Sequence, residues 1–255
     1  MIRRPPRSTP KPSSAASDVY KRQPYNWNDA AKLPGVMPLD PQEWIIFDEA
    51  YEGQMAEREI LLQNTDEVIA VNRNSEAAAC ELLDTLLNFL SKKVGFEVFQ
   101  THVVTPDMRT VKINYDAPLL TCGLLVQNDF CIMQKLDNQH VLTAAVLCFP
   151  ANWRLNEKFM KPLFSIHENV PEYTHGIAKR VDRIFDGIKV NHPVWRFNVL
   201  EYSNAALHQP YRLHSDRLPS FTRSERQTFF KLPGTGAVIF GIHTFVIKKV
   251  PSAPF

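Results

Sequence analysis

No Cys-x-x-Cys pair occurs among the four cysteines of this chain, Cys80, Cys122, Cys131 and Cys148. Their spacing argues against a zinc ribbon or a ferredoxin-type cluster. No apolar run approaches the roughly 18 residues of a membrane span, so no membrane partner is expected. There is no Gly-x-Gly-x-x-Gly after a strand, and Gly234-Thr-Gly236 is too short to be a phosphate loop. A dinucleotide-binding fingerprint is therefore missing. His-Glu-x-x-His and Gly-x-Ser-x-Gly are missing too. His102, His140, His175, His192, His208 and His214 show no ligand-type spacing and read as surface histidines.

An excess of one charge sign is also lacking. The formal net charge is +2 over 255 residues. Residues 1–22 alone hold six basic residues and one acid, which leaves the body with 23 basic and 26 acidic residues. A body at −3 carries no nucleic-acid footprint. The first 22 residues are basic, Ser-rich and interrupted by prolines, with no apolar run. They read as a disordered, artefactual leader and not as a secretory signal. With no such signal, free thiols and a cytoplasmic location are expected.

What remains, residues 23–255, is expected to be a single domain of ordinary composition, 44% hydrophobic and 22% charged. Short helical turns are expected near Asn28–Lys32 and Pro41–Trp44, and helices over Tyr51–Gln63 and Ser75–Lys93. In the latter, Leu82, Leu83, Leu86, Leu87 and Leu90 recur at helical spacing, with Ser75 as N-cap and Gly95 as the stop. Beyond Gly95 the period becomes that of strands: Phe96–Thr101, Val111–Tyr115, Asp129–Leu136, Val141–Phe149, Val194–Tyr202 and Ala237–Ile247. Asn156–Phe159 and Thr174–Ile188 read as helices, as does the stretch that opens at Glu225-Arg-Gln and closes at Pro233. The fold class expected is α+β with an antiparallel sheet.

Three blocks recur in an order that resembles a known family. They are Leu147-Cys-Phe-Pro-Ala-Asn-Trp153, Phe164-Ser-Ile-His-Glu-Asn-Val-Pro171 and Ser224-Glu-Arg-Gln-Thr-Phe-Phe-Lys-Leu-Pro233. The family is the haem-dependent oxidative N-demethylase, or dimethylamine monooxygenase haem subunit. The resemblance implies a PAS-like sheet with helices over one face and a bound haem b. It implies dioxygen and a small methylated amine as substrates, with formaldehyde released. It also implies a separate flavin or iron–sulfur reductase subunit as electron donor.

Within these blocks His167 is the first candidate for the axial metal ligand and Cys148 its rival, since haem iron takes His or Cys thiolate. Their plainer readings are a loop histidine bonded to backbone and a small buried hydrophobe. Trp153 and Phe149 are candidates to line the cofactor, or simply to pack. Arg226 is a candidate partner for a haem propionate, and Glu225 for a cationic amine. Asn198 can donate and accept, and so could position substrate or dioxygen. Two departures bear on the substrate: Val199 stands where the family has Trp, and His243-Thr-Phe245 where Arg-Thr-Tyr is more usual. The alternative function on the same scaffold is a haem- or ligand-binding sensor module without turnover.

Overall fold

A computed structural model describes residues 25–27, 35–166, 175–211 and 218–249. The strands are β1 (Met37–Pro38), β2 (Ile69–Val71), β3 (Glu97–Val98), β4 (His102–Val104), β5 (Thr110–Lys112), β6 (Asp129–Leu136), β7 (Gln139–Val146), β8 (Val194–Tyr202), β9 (Phe221–Lys231) and β10 (Val238–Lys248). The helices are α1 (Tyr51–Leu61), α2 (Thr65–Val68), α3 (Glu76–Leu90), α4 (Pro118–Leu125), α5 (Leu155–Lys158), α6 (Leu163–Ile166) and α7 (His175–Gly187). The fold is α+β, as expected. A seven-stranded antiparallel sheet runs in the order β1-β8-β9-β10-β6-β7-β2, and a small second sheet in the order β3-β4-β5.

Side-chain alternation along each strand sends successive residues to opposite faces of the large sheet. On β6, Phe130 and Ile132 join a large core with Met55 of α1, Leu82, Leu83, Leu86 and Leu90 of α3, and Leu119 and Leu125 of α4. Their neighbours Cys131 and Met133 point the other way. They pack with Leu155 of α5, Leu163 of α6 and Phe185 of α7. Helices therefore cover both faces, not one as the family resemblance implies. All four cysteines are free. Among the described residues, no helix is long and apolar enough to cross a membrane.

A buried ion pair ties the helical layer to the sheet. Arg58 of α1 is fully buried and donates to Asp129 Oδ1 at 2.7 Å and to the carbonyls of Gly123, Gln127 and Asn128. Asp129 in turn accepts the backbone N–H groups of Cys148 (2.7 Å) and Phe149 (2.8 Å). One guanidinium thus satisfies three carbonyls and a carboxylate, so neither charge of this pair is left unpaired.

Several local expectations change. Ser75 occupies the N-cap position of α3, as expected, but its side chain makes no capping bond: it ends a 3-10 turn, and its hydroxyl donates to Gln134 Oε1 at 2.7 Å. Helix α3 ends at Leu90, and Gly95 follows at φ +90, where an added Cβ would meet Pro106 Cγ at 3.2 Å. Helix α4 escapes the sequence pattern because it is apolar on nearly every side. The turn expected near Asn28–Lys32 lies outside the described residues.

Candidate functional site

The stretch from Ser224 is not a helix. It lies in β9, paired with β10 over the whole strand and with β8 as far as Phe229. Glu, Arg and Gln are good helix formers, but here two neighbouring strands override propensity. The correction has a consequence for the site. In a strand adjacent residues oppose each other, so Glu225 and Arg226 serve opposite faces of the sheet.

Glu225 stands on the face covered by α5, α6 and α7. The register places Arg196 opposite Gln227, Asn198 opposite Glu225, and Leu200 opposite Arg223. Arg196, Asn198, Arg223, Glu225 and Gln227 therefore form one polar row. Asn198 Nδ2 donates to Glu225 Oε2 at 2.9 Å, while Asn198 Oδ1 accepts the Glu225 backbone N–H at 3.0 Å. Gln227 Nε2 reaches the same carboxylate oxygen at 3.4 Å, and Arg223 Nη2 reaches Oε1 at 3.4 Å. Arg223 is fully buried and its guanidinium also donates to the carbonyls of Leu207 (2.8 Å) and Phe149 (2.6 Å). Arg196 Nη1 donates to Gln227 Oε1 at 3.0 Å. The Nε atoms of Arg196 and Arg223 are buried without a hydrogen-bond partner. Burial pulls Arg196 below the ordinary guanidinium range, while the nearby charge of Glu225 acts in the opposite sense.

This polar row runs into the second apolar cluster. Phe229 continues the same face of β9, and Val194 the same face of β8. Trp153 packs there, partly buried, with Leu163 and Ile166 of α6 and Val181 of α7. Phe149 does not: it is buried in the first core, with the Arg58 guanidinium 5.4 Å from its ring centre. Trp153 and Phe149 thus belong to different apolar clusters, although the Phe149 carbonyl meets the polar row through Arg223.

Arg226 points to the opposite side. Its guanidinium donates to the carbonyls of Glu43 (2.6 Å) and Trp44 (3.5 Å) and lies 5.2 Å from the Trp195 ring centre. It lines a cavity of about 510 Å³ with Tyr25, Trp195 and Lys93.

His167 lies outside the described residues; Ile166, the last residue of α6, immediately precedes it. Cys148 lies in the first core, fully buried. Burial pushes its thiol up to about 12, against the opposing pull of Arg58. A thiol held that high is protonated at neutral pH and is a poor source of thiolate.

Two parts of the polar architecture carry no motif. One is a buried network on the first face. His243 Nε2 lies 2.8 Å from Asp48 Oδ2, and Gln127 Nε2 donates both to Asp48 Oδ1 (2.8 Å) and to Gln54 Oε1 (3.1 Å). His243, one of the departures from the family pattern, is thus matched by a nearby acid. The other is Arg223 with Gln227. Their signal is polar residues at every second position, Arg223-x-Glu225-x-Gln227, facing Arg196-x-Asn198 across a strand pair. The backbone amides of Gly234 and Thr235, weighed above as a phosphate loop, are filled by the Glu81 carboxylate at 2.5 and 2.7 Å.

Among curated proteins none matches the chain. The family described as Haem-dependent oxidative N-demethylase, alpha subunit-like, matches through its model over residues 35–250, which include the polar row and all ten strands, and the chain belongs to that family.

Proposed function

We propose that this chain is the haem-bearing subunit of an oxidative N-demethylase acting on a small N-methylated amine, with the face of Glu225 and Asn198 as its working surface. The observation that carries the reading is the junction on that face. An apolar wall of Trp153, Leu163, Phe185 and Phe229 meets a row containing Arg196, Asn198 and Glu225. This chemistry fits haem, an apolar macrocycle with carboxylate tails. It also fits a cationic amine beside a carboxylate. The antiparallel sheet with flanking helices is read as PAS-like, and the described residues as one domain built on it.

His167 is proposed as the residue that would hold the iron of haem b, and Trp153 as part of the apolar lining. When bound, haem would supply the activation of dioxygen; the electrons would come from a flavin or iron–sulfur reductase subunit. The chain's own residues do the positioning. Asn198 holds both the side chain and the backbone of Glu225, which fixes the carboxylate before any ligand arrives. Glu225 would then receive the ammonium group, and the apolar wall would keep water from the reacting methyl group. Arg226 serves the opposite face of the sheet from Glu225.

The test is Glu225→Gln, which keeps size and one accepting oxygen, turns the other into a donor, and removes the charge. In haem-loaded protein supplied with a competent reductase, it should raise KM for the amine by at least about tenfold, the worth of one lost charge-assisted bond. An unchanged KM with formaldehyde still released would remove Glu225 from amine binding.

A further inference from the structure

The polar row holds two guanidinium groups against a single carboxylate. Arg223 is engaged with Glu225 and with two carbonyls. Arg196 is not. It makes one bond, from Nη1 to the neutral amide of Gln227, and no carboxylate lies within ion-pair distance of it among the described residues. Its Nε is buried with no partner. With Nη1 occupied, the remaining side-on edge, Nε with Nη2, is the edge that binds both oxygens of a carboxylate. A buried charged donor left unpaired is costly, and such sites are rarely kept without a ligand. Adding only a cationic amine beside Glu225 would leave the free edge of Arg196 without an acceptor. Adding a carboxylate would supply one.

We propose that Arg196 is a carboxylate-binding subsite beside Glu225. This rests on the functional reading above and extends it to the class of ligand. Arg196 and Glu225 are diagonal neighbours across the β8–β9 pair. Diagonal pairs lie roughly 7–8 Å apart at Cα, within reach of long side chains. A zwitterion can therefore present its ammonium to Glu225 and its carboxylate to Arg196. The substrate that fits is an N-methylated amino acid. A porphyrin propionate offers the same carboxylate chemistry, and the two sources are separable by experiment.

Calorimetry on haem-free protein compares N,N-dimethylglycine with dimethylamine, which lacks the carboxylate. A parallel Soret titration compares haem with haem dimethyl ester, which lacks free propionates. Both use wild-type protein, Arg196→Gln and Arg196→Lys, with melting temperature as the check on folding. If the substrate supplies the carboxylate, dimethylglycine binds at least about tenfold more tightly than dimethylamine. Arg196→Gln then abolishes that preference, Arg196→Lys restores part of it, and haem uptake is unchanged. If a propionate supplies it, wild-type protein prefers haem to the ester by a similar factor, and Arg196→Gln removes the difference. Equal binding of the acid and non-acid forms in both comparisons overturns the proposal, and the wild-type comparisons alone suffice should the variants misfold. Failure of wild-type protein to take up haem would instead sink the functional reading, leaving the amino-acid comparison to decide the subsite.

Discussion

Single residues here matter by their partners more than by their type. Asp48 shows this most directly. Burial by itself would raise its carboxyl pKa, but the hydrogen bond and charge of His243, with bonds from Gln127 and the Ala50 amide, bring it below the ordinary range. A carboxyl depressed by folding stabilises the native state above its unfolded value, about pH 4, and loses that contribution as pH falls through its folded value. Melting temperatures of wild-type protein and Asp48→Asn should therefore differ at pH 6 and converge as pH drops below about 4. Curves that stay parallel to pH 3 would show that Asp48 carries no such linkage. The same reasoning separates Cys148 from His167: the first is a buried thiol pushed up to about 12, so Cys148→Ser should leave any haem spectrum nitrogen-ligated.

Secondary-structure elements were legible wherever burial followed the apolar residues. Strand β8 was expected over Val194–Tyr202 and is found there. The strands of the β6–β7 hairpin were expected on either side of Asp137-Asn-Gln-His140, and pairing tightens the turn to Asp137-Asn138. Strand β9 was misread because its buried positions include Thr222, Arg223, Ser224, Glu225, Arg226, Gln227 and Thr228, so hydrophobic alternation is missing where pairing is tightest. The site suffered for the same reason. Glu225 and Asn198 were visible as residues, but their mutual bonds come from a long-range register that no local pattern encodes. Arg58 was invisible as well, although it joins α1, α4 and β6. Arg58→Met should leave Asp129 charged and short of its cation, costing about 3–5 kcal/mol. At roughly 2–4 °C per kcal/mol for a chain of this size, a fall in melting temperature of about 6–20 °C is expected. An unchanged melting temperature would mean the pair does not hold these elements together.

At the scale of the whole molecule, membership of an alpha-subunit-like family implies a partner subunit, and the sequence carries no dinucleotide fingerprint of its own. The chain supplied with NADPH and a methylated amine should thus release no formaldehyde until a competent reductase is added. Steady release by the chain alone would overturn the subunit reading. The claim beneath all of this is that the chain holds haem through a nitrogen ligand, and the most direct measurement is the absorption spectrum of the purified protein titrated with haem, then reduced and exposed to CO. The account predicts a Soret band that saturates at one haem per chain, a ferrous–CO spectrum of the nitrogen-ligated type, and loss or strong displacement of the band in His167→Ala. No Soret band beyond that of free haem, or a thiolate-type CO complex that Cys148→Ser abolishes, would contradict it.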